Sequence, residues 1–132
     1  MWKLLVVDDE PDMLELITQC FEREGFEVVT AVNGLEAVQK AREERPHLVF
    51  LNLMMPVMDG FEACRVLKAD EATREIPVFI FSGCAGQEYY TTAFELGAWE
   101  YVVSPFSPRE VLKRIRYALG ERTPEWERET TN

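Results

Sequence analysis

The stretch Leu48-Val49-Phe50-Leu51-Asn52-Leu53-Met54-Met55-Pro56-Val57-Met58-Asp59-Gly60 passes from unbroken apolar residues into a loop that closes on Asp-Gly. Consecutive apolar side chains without alternation suit a strand covered on both faces, the habit of parallel sheets. Upstream, Lys3–Val7 has the same character and ends in the acidic pair Asp8-Asp9. With His47–Leu51 read as the third strand, the runs Phe26–Thr30, Val78–Phe81 and Trp99–Val103 complete a set of five. Helix-like segments separate them, which is the alternation of a parallel sheet flanked by helices.

The first helix opens near Pro11, a residue suited to a first turn, and carries Met13, Leu14, Ile17, Cys20 and Phe21 at helical spacing before Gly25. Asn33 can cap the second, whose inward face is read as Leu35, Ala37, Val38 and Ala41, with Pro46 barring continuation. A third runs from about Gly60 toward Asp70 with Phe61, Cys64, Val66 and Leu67. A fourth spans Gln87 to Leu96 and stops at Gly97. The fifth opens at Ser107-Pro108, with Val111, Leu112, Ile115, Ala118 and Leu119 as its stripe, and Gly120 ends it. Residues 1–120 thus read as one domain and 121–132, polar around a lone Trp126, as a tail or the start of a linker.

A chain of 132 residues, 47% hydrophobic and 29% charged, is long enough for one proper core. The uncharged stretch Ile76 to Gln87 contains Pro77 and is too short to span a bilayer. No signal peptide is visible at the start, and three cysteines without a C-x-x-C pair suit the cytoplasm. A formal charge of −10 opposes direct contact with nucleic acid.

In a (βα)5 order with right-handed crossovers, the C-terminal strand ends meet and deliver Asp8, Asp9, Asn52, Ser82 and Ser104 to one crevice. The motifs Val6-Val7-Asp8-Asp9-Glu10-Pro11, Leu53 through Gly60, Ser82-Gly83, and Gly97-Ala98 with Tyr101, Pro105 and Phe106 occur in order and at matching spacing. On these motifs the chain, over roughly residues 3 to 119, resembles the CheY-like receiver domain of bacterial two-component response regulators. The resemblance implies a flavodoxin-like doubly wound parallel sheet of strand order 2-1-3-4-5.

It also implies roles. Asp9, with Asp8 helping through water, would hold Mg2+, and the Met54 carbonyl would complete the protein ligands. The Asn52 position would be an aspartate that accepts the phosphoryl group and ligates the metal. Ser82 would bond the phosphoryl group on switching, and Tyr101 would change rotamer with the switch. The Ser104 position would be a lysine. In the family, the face of helix four, strand five and helix five is the usual docking and dimer surface.

Two positions depart from the pattern, Asn52 and Ser104, and the chemistry makes both matter. Phosphoryl transfer needs an oxygen nucleophile in line with the leaving group and cations to absorb charge. An amide oxygen is a poor nucleophile and a weaker ligand for a hard cation than a carboxylate. The two losses remove one charge of each sign, so the pocket keeps its formal balance. An engineered aspartate-to-asparagine change would leave the lysine in place, and Asn52 is therefore read as natural.

Plainer readings stand beside these. Asp8-Asp9 also suits an acidic loop before a helix, and Ser82 can satisfy backbone groups after its strand. Tyr101 reads as a half-buried aromatic in one fixed rotamer. Cys84 and His47 have no ligand-spaced companions and read as structural. Among Tyr89, Tyr90, Phe94, Trp99, Phe106 and Tyr117, one or two exposed rings are expected as interface anchors.

The leading expectation is a receiver-like module in phosphorelay signalling that works without aspartyl phosphorylation. It would bind a partner protein, a sister chain as a homodimer, or an attached output domain, with a weakened Mg2+ site and no required cofactor. Two rivals are a conventional phosphoacceptor whose aspartate has been replaced, and an ion or small-molecule sensor using the acidic pocket. No G-x-x-x-x-G-K-[ST] loop and no G-x-G-x-x-G after the first strand occur, so an enzyme is not expected.

Overall fold

The computed structural model describes residues 1–121; the tail from residue 122 on, with Trp126, lies outside the described residues. Five strands and five helices alternate: β1 Lys3–Val7, α1 Pro11–Arg23, β2 Glu27–Ala31, α2 Gly34–Glu44, β3 Leu48–Asn52, α3 Gly60–Ala69, β4 Val78–Ser82, α4 Gln87–Glu95, β5 Glu100–Val103 and α5 Pro108–Ala118. All neighbouring strands are parallel and their order is β2-β1-β3-β4-β5. This is the flavodoxin-like (βα)5 sheet, doubly wound, that the apolar runs predict.

Alternation along each strand sorts the core into two layers. Leu4, Val6, Phe50, Phe79 and Phe81 face α1 and α5, where they meet Ile17, Phe21, Val111, Leu112 and Ile115. Leu5, Val7, Val49, Leu51 and Ile80 face α2, α3 and α4, where small side chains such as Ala37, Ala41, Ala63 and Ala93 let the helices approach closely. The first layer is aromatic: Phe50 stacks on Phe81 at 4.5 Å between ring centroids and meets Phe21 edge-on at 5.4 Å. Such pairs add about 0.5–1.5 kcal/mol each beyond the area they bury.

The helix ends follow their local chemistry. Asn33, Asp59 and Ser107 cap α2, α3 and α5 by accepting from the backbone N–H three residues on. Glu10 precedes α1 without a side-chain cap, and Pro11 starts the helix instead. At the other end of the sheet the two ends of the domain are tied together. The Trp2 indole N–H donates to Glu121 Oε1 at 2.7 Å, and Arg116 reaches both the Glu24 carbonyl and Glu121.

Several sequence expectations need correction. β2 and β3 begin one residue later than read, so Asn52 is the last strand residue, and β4 extends to Ser82. β5 starts at Glu100 rather than Trp99, and α4 ends at Glu95, with Leu96 as its C-cap. The edge strand β2 is only partly covered, because its outer edge has no neighbouring strand. Leu35 does not belong to the inward face of α2: it is exposed, and Gly34 is buried in the first turn instead. Met13 is exposed as well, leaving Ile17 and Phe21 as the buried residues of α1.

Candidate functional site: the crevice at the C-terminal sheet edge

Register places the site. Val7 of β1 pairs with Leu51 of β3, so the next residue of each chain segment, Asp8 and Asn52, comes face to face. Asn52 in turn pairs with Phe81, which puts Ser82 one step beyond it. Ser82 pairs with Val103, and the Ser104 N–H donates to the Ser82 carbonyl at 2.7 Å. Four strands thereby deliver their ends to one crevice, as the topology requires.

Within it, the Asn52 Nδ2 donates to Asp8 Oδ1 and to the Met54 carbonyl, both at 3.3 Å. Asp8 is buried, and its Oδ1 also accepts from the Glu10 N–H at 3.0 Å. Burial holds the Asp8 carboxyl above its ordinary range, the Glu10 N–H pulls it back, and the charges of Asp9 and Glu10 raise it further. Asp9 is exposed, so the acidic pair is split between an inward and an outward carboxylate.

The floor beneath Asn52 is built by a glycine that sequence reading treated only as a helix start. A Cβ on Gly60 would lie 2.5 Å from the Asn52 carbonyl oxygen and 2.8 Å from Leu53 Cα. The Gly60 N–H also donates to the Leu53 carbonyl at 2.7 Å. The Asp-Gly pair at 59–60 is the signal that carries this, a cap followed by the residue that permits close backbone approach.

Ser82 and Tyr101 are both engaged at Cys84, a role sequence reading did not find. Ser82 Oγ accepts from the Cys84 N–H at 3.0 Å, and the Tyr101 hydroxyl donates to the Cys84 carbonyl at 2.6 Å. Tyr101 is fully buried, not half-buried, stacked against Tyr89 and edge-on to Tyr90. Burial raises its phenol above the usual value. Ser104 precedes the cis Pro105 and lines a groove with Met13, Leu16 and Phe106. Among the described residues, neither Ser82 nor Ser104 hydrogen-bonds through its side chain to Asp8 or Asn52. His47 is structural: its Nδ1 accepts from the Lys3 N–H, and its ring meets Trp2 edge-on.

The expectation of one or two exposed aromatics falls short. Tyr90, Phe94, Trp99 and Tyr117 are all exposed, at 37%, 49%, 47% and 69%, on α4, the approach to β5, and α5. Among the described residues, no helix is long and apolar enough to cross a membrane.

The response regulator receiver domain model matches residues 4–116. The chain belongs to that family. Among curated relatives, the alkaline phosphatase synthesis transcriptional regulatory protein PhoP of Bacillus subtilis is 38% identical over 117 residues, covering 89% of this chain and 48% of the relative. The DNA-binding response regulator MtrA of Mycolicibacterium smegmatis is also 38% identical, over 89% of this chain and 50% of its own length. This receiver domain thus spans about half the length of the curated relatives it matches. Among solved structures, chemotaxis protein CheY4 of Vibrio cholerae superposes with a TM-score of 0.84 at 29% identity, over 89% of this chain and 98% of that one. The receiver domain of sensor histidine kinase PA1611 from Pseudomonas aeruginosa superposes with a TM-score of 0.83 at 25% identity, over 91% of this chain and 98% of that one. That neighbour has a magnesium ion coordinated in its active-site cleft.

Oxygen ligands suit Mg2+, and Asp8, Asp9 and the Met54 carbonyl are of that kind. The set does not fit as it stands, because the Asn52 side chain presents an N–H donor, not an oxygen, to Asp8 and Met54. Among the described residues, no three His, Cys, Asp or Glu side chains are placed to hold a metal together.

Proposed function

We propose that this receiver domain is a signalling module of the two-component class that works without aspartyl phosphorylation. The observation that carries the reading is the side-chain amide of Asn52 standing hydrogen-bonded to Asp8 where phosphoryl transfer needs a carboxylate nucleophile. An amide oxygen that attacks phosphorus gives no stable acyl phosphate. Ser104 supports the same reading, since a neutral hydroxyl supplies none of the positive charge that a transferring phosphoryl group requires.

In this reading the output is a protein contact made by α4, β5 and α5 with a partner protein, a sister chain or an attached output domain. Four exposed aromatic rings on that face supply large apolar area with few rotatable bonds, the composition of binding anchors. Tyr101, edge-on to the exposed Tyr90 and stacked on Tyr89, is held inward by its hydroxyl bond to the Cys84 carbonyl. The formal charge of −10 assigns any contact with nucleic acid to a partner or an attached domain rather than to this one. The proposed role is in the cytoplasm and is not enzymatic.

Incubation with acetyl phosphate and Mg2+, followed by intact-mass measurement, tests the proposal. No added phosphoryl group is expected. A stoichiometric, acid-labile adduct would overturn it.

A further inference from the structure

The Asn52 amide does more than fail as a nucleophile. Its nitrogen reaches two acceptors at once, Asp8 Oδ1 and the Met54 carbonyl, at 3.3 Å each. These groups sit on different segments, one after β1 and one in the loop after β3. Two oxygen acceptors on separate segments, one anionic and buried, need a hydrogen-bond donor or a cation between them to remain close. Here a neutral group with two N–H bonds supplies that positive edge. Turning the amide over would put its oxygen against Asp8 Oδ1, oxygen to oxygen, and abandon both bonds.

We propose that the Asn52 amide takes the place of a divalent cation as the internal cross-link of the crevice, so that the crevice takes up no metal. The inference rests on the reading of the crevice as one that does not transfer phosphate. It adds a separate claim, that metal and amide compete for one place. The split acidic pair fits this. Asp8, turned inward, is served by Asn52 and by the Glu10 N–H, and Asp9 is left in solvent.

Thermal unfolding of the whole chain, in EDTA and in about 10 mM Mg2+, reads the claim through mass action on the folded state. The wild type is expected to melt at the same temperature in both. Asn52→Asp is expected to melt lower than wild type in EDTA, because a third carboxylate joins Asp8 and Asp9, and to regain several degrees in Mg2+. Asn52→Ala is expected to melt lower than wild type in both buffers, without a metal response. Should Asn52→Asp not fold, a nitrogen-15 spectrum keeps the claim open to refutation. The Asn52 side-chain pair, assigned by its loss in Asn52→Ala, should stay in place through a Mg2+ titration. A saturable rise in wild-type melting temperature with Mg2+, movement of that amide pair, or an Asn52→Ala variant as stable as wild type would overturn the inference. None of these readouts depends on a phosphodonor, so the functional reading and this one fail separately.

Discussion

Alanine at Gly60 should unsettle the crevice without touching any of its polar groups. The added Cβ lies 2.5 Å from the Asn52 carbonyl oxygen and 2.8 Å from Leu53 Cα, and both are backbone atoms that cannot swing aside. The helix start cannot retreat either, because the Gly60 N–H is bonded to the Leu53 carbonyl at 2.7 Å. Overpacking of this kind costs about 1–3 kcal/mol, and the rigid neighbours place Gly60→Ala in the upper half. Helix propensity returns up to about 1 kcal/mol, leaving a net loss of about 2 kcal/mol. With a urea slope of about 2 kcal/mol per molar, the unfolding midpoint should fall by about 1 M. Gly83→Ala is the matched control: nothing lies within 4 Å of its added Cβ, and a change within about 0.5 kcal/mol is expected. A Gly60→Ala midpoint within about 0.2 M of wild type, or an equal fall in Gly83→Ala, would refute the close-approach argument.

Other perturbations test other parts of the molecule. Tyr101→Phe keeps the ring between Tyr89 and Tyr90 but strands the Cys84 carbonyl, and should cost about 1 kcal/mol in urea unfolding. Asn33→Ala removes the acceptor for the Glu36 N–H and should cost about 1 kcal/mol by the same assay. Burial pushes the Cys64 thiol from its ordinary 9.0 up to about 11, so the folded state favours the protonated form. Its contribution is full below pH 9.0 and lost as pH rises toward 11. Wild type should therefore lose about 2 kcal/mol more than Cys64→Ala across that window, and parallel pH curves would contradict this.

The fold was legible because unalternated apolar runs separated by helical spacing admit few arrangements, and right-handed crossovers leave few orders. Leu48 to Leu51 announced a covered strand, and the caps at Asn33 and Ser107 sat where side-chain chemistry placed them. Spacing shows that residues share a face but leaves the turn of the helix against the sheet open. Leu35 and Met13 were misplaced for that reason. The site was legible as a set of residues at one edge, and much less so as a set of bonds. That Asp8 turns inward while Asp9 faces solvent depends on the rung at which β1 and β3 pair. So does the direction of the Asn52 amide, which no local pattern encodes. Tyr101 was read as half-buried because its burial comes from Tyr89 and Tyr90 closing over it from α4.

The tie between Trp2 and Glu121 has a mechanical side. Both ends of the folded unit lie at the strand starts, away from the crevice. A pull applied to the two ends would load this tie first, through the indole–carboxylate bond and the Arg116 clasp. The crevice would feel such a force last. The same geometry suits splicing into a surface loop of another protein, since a host chain could enter and return at the same end of the sheet.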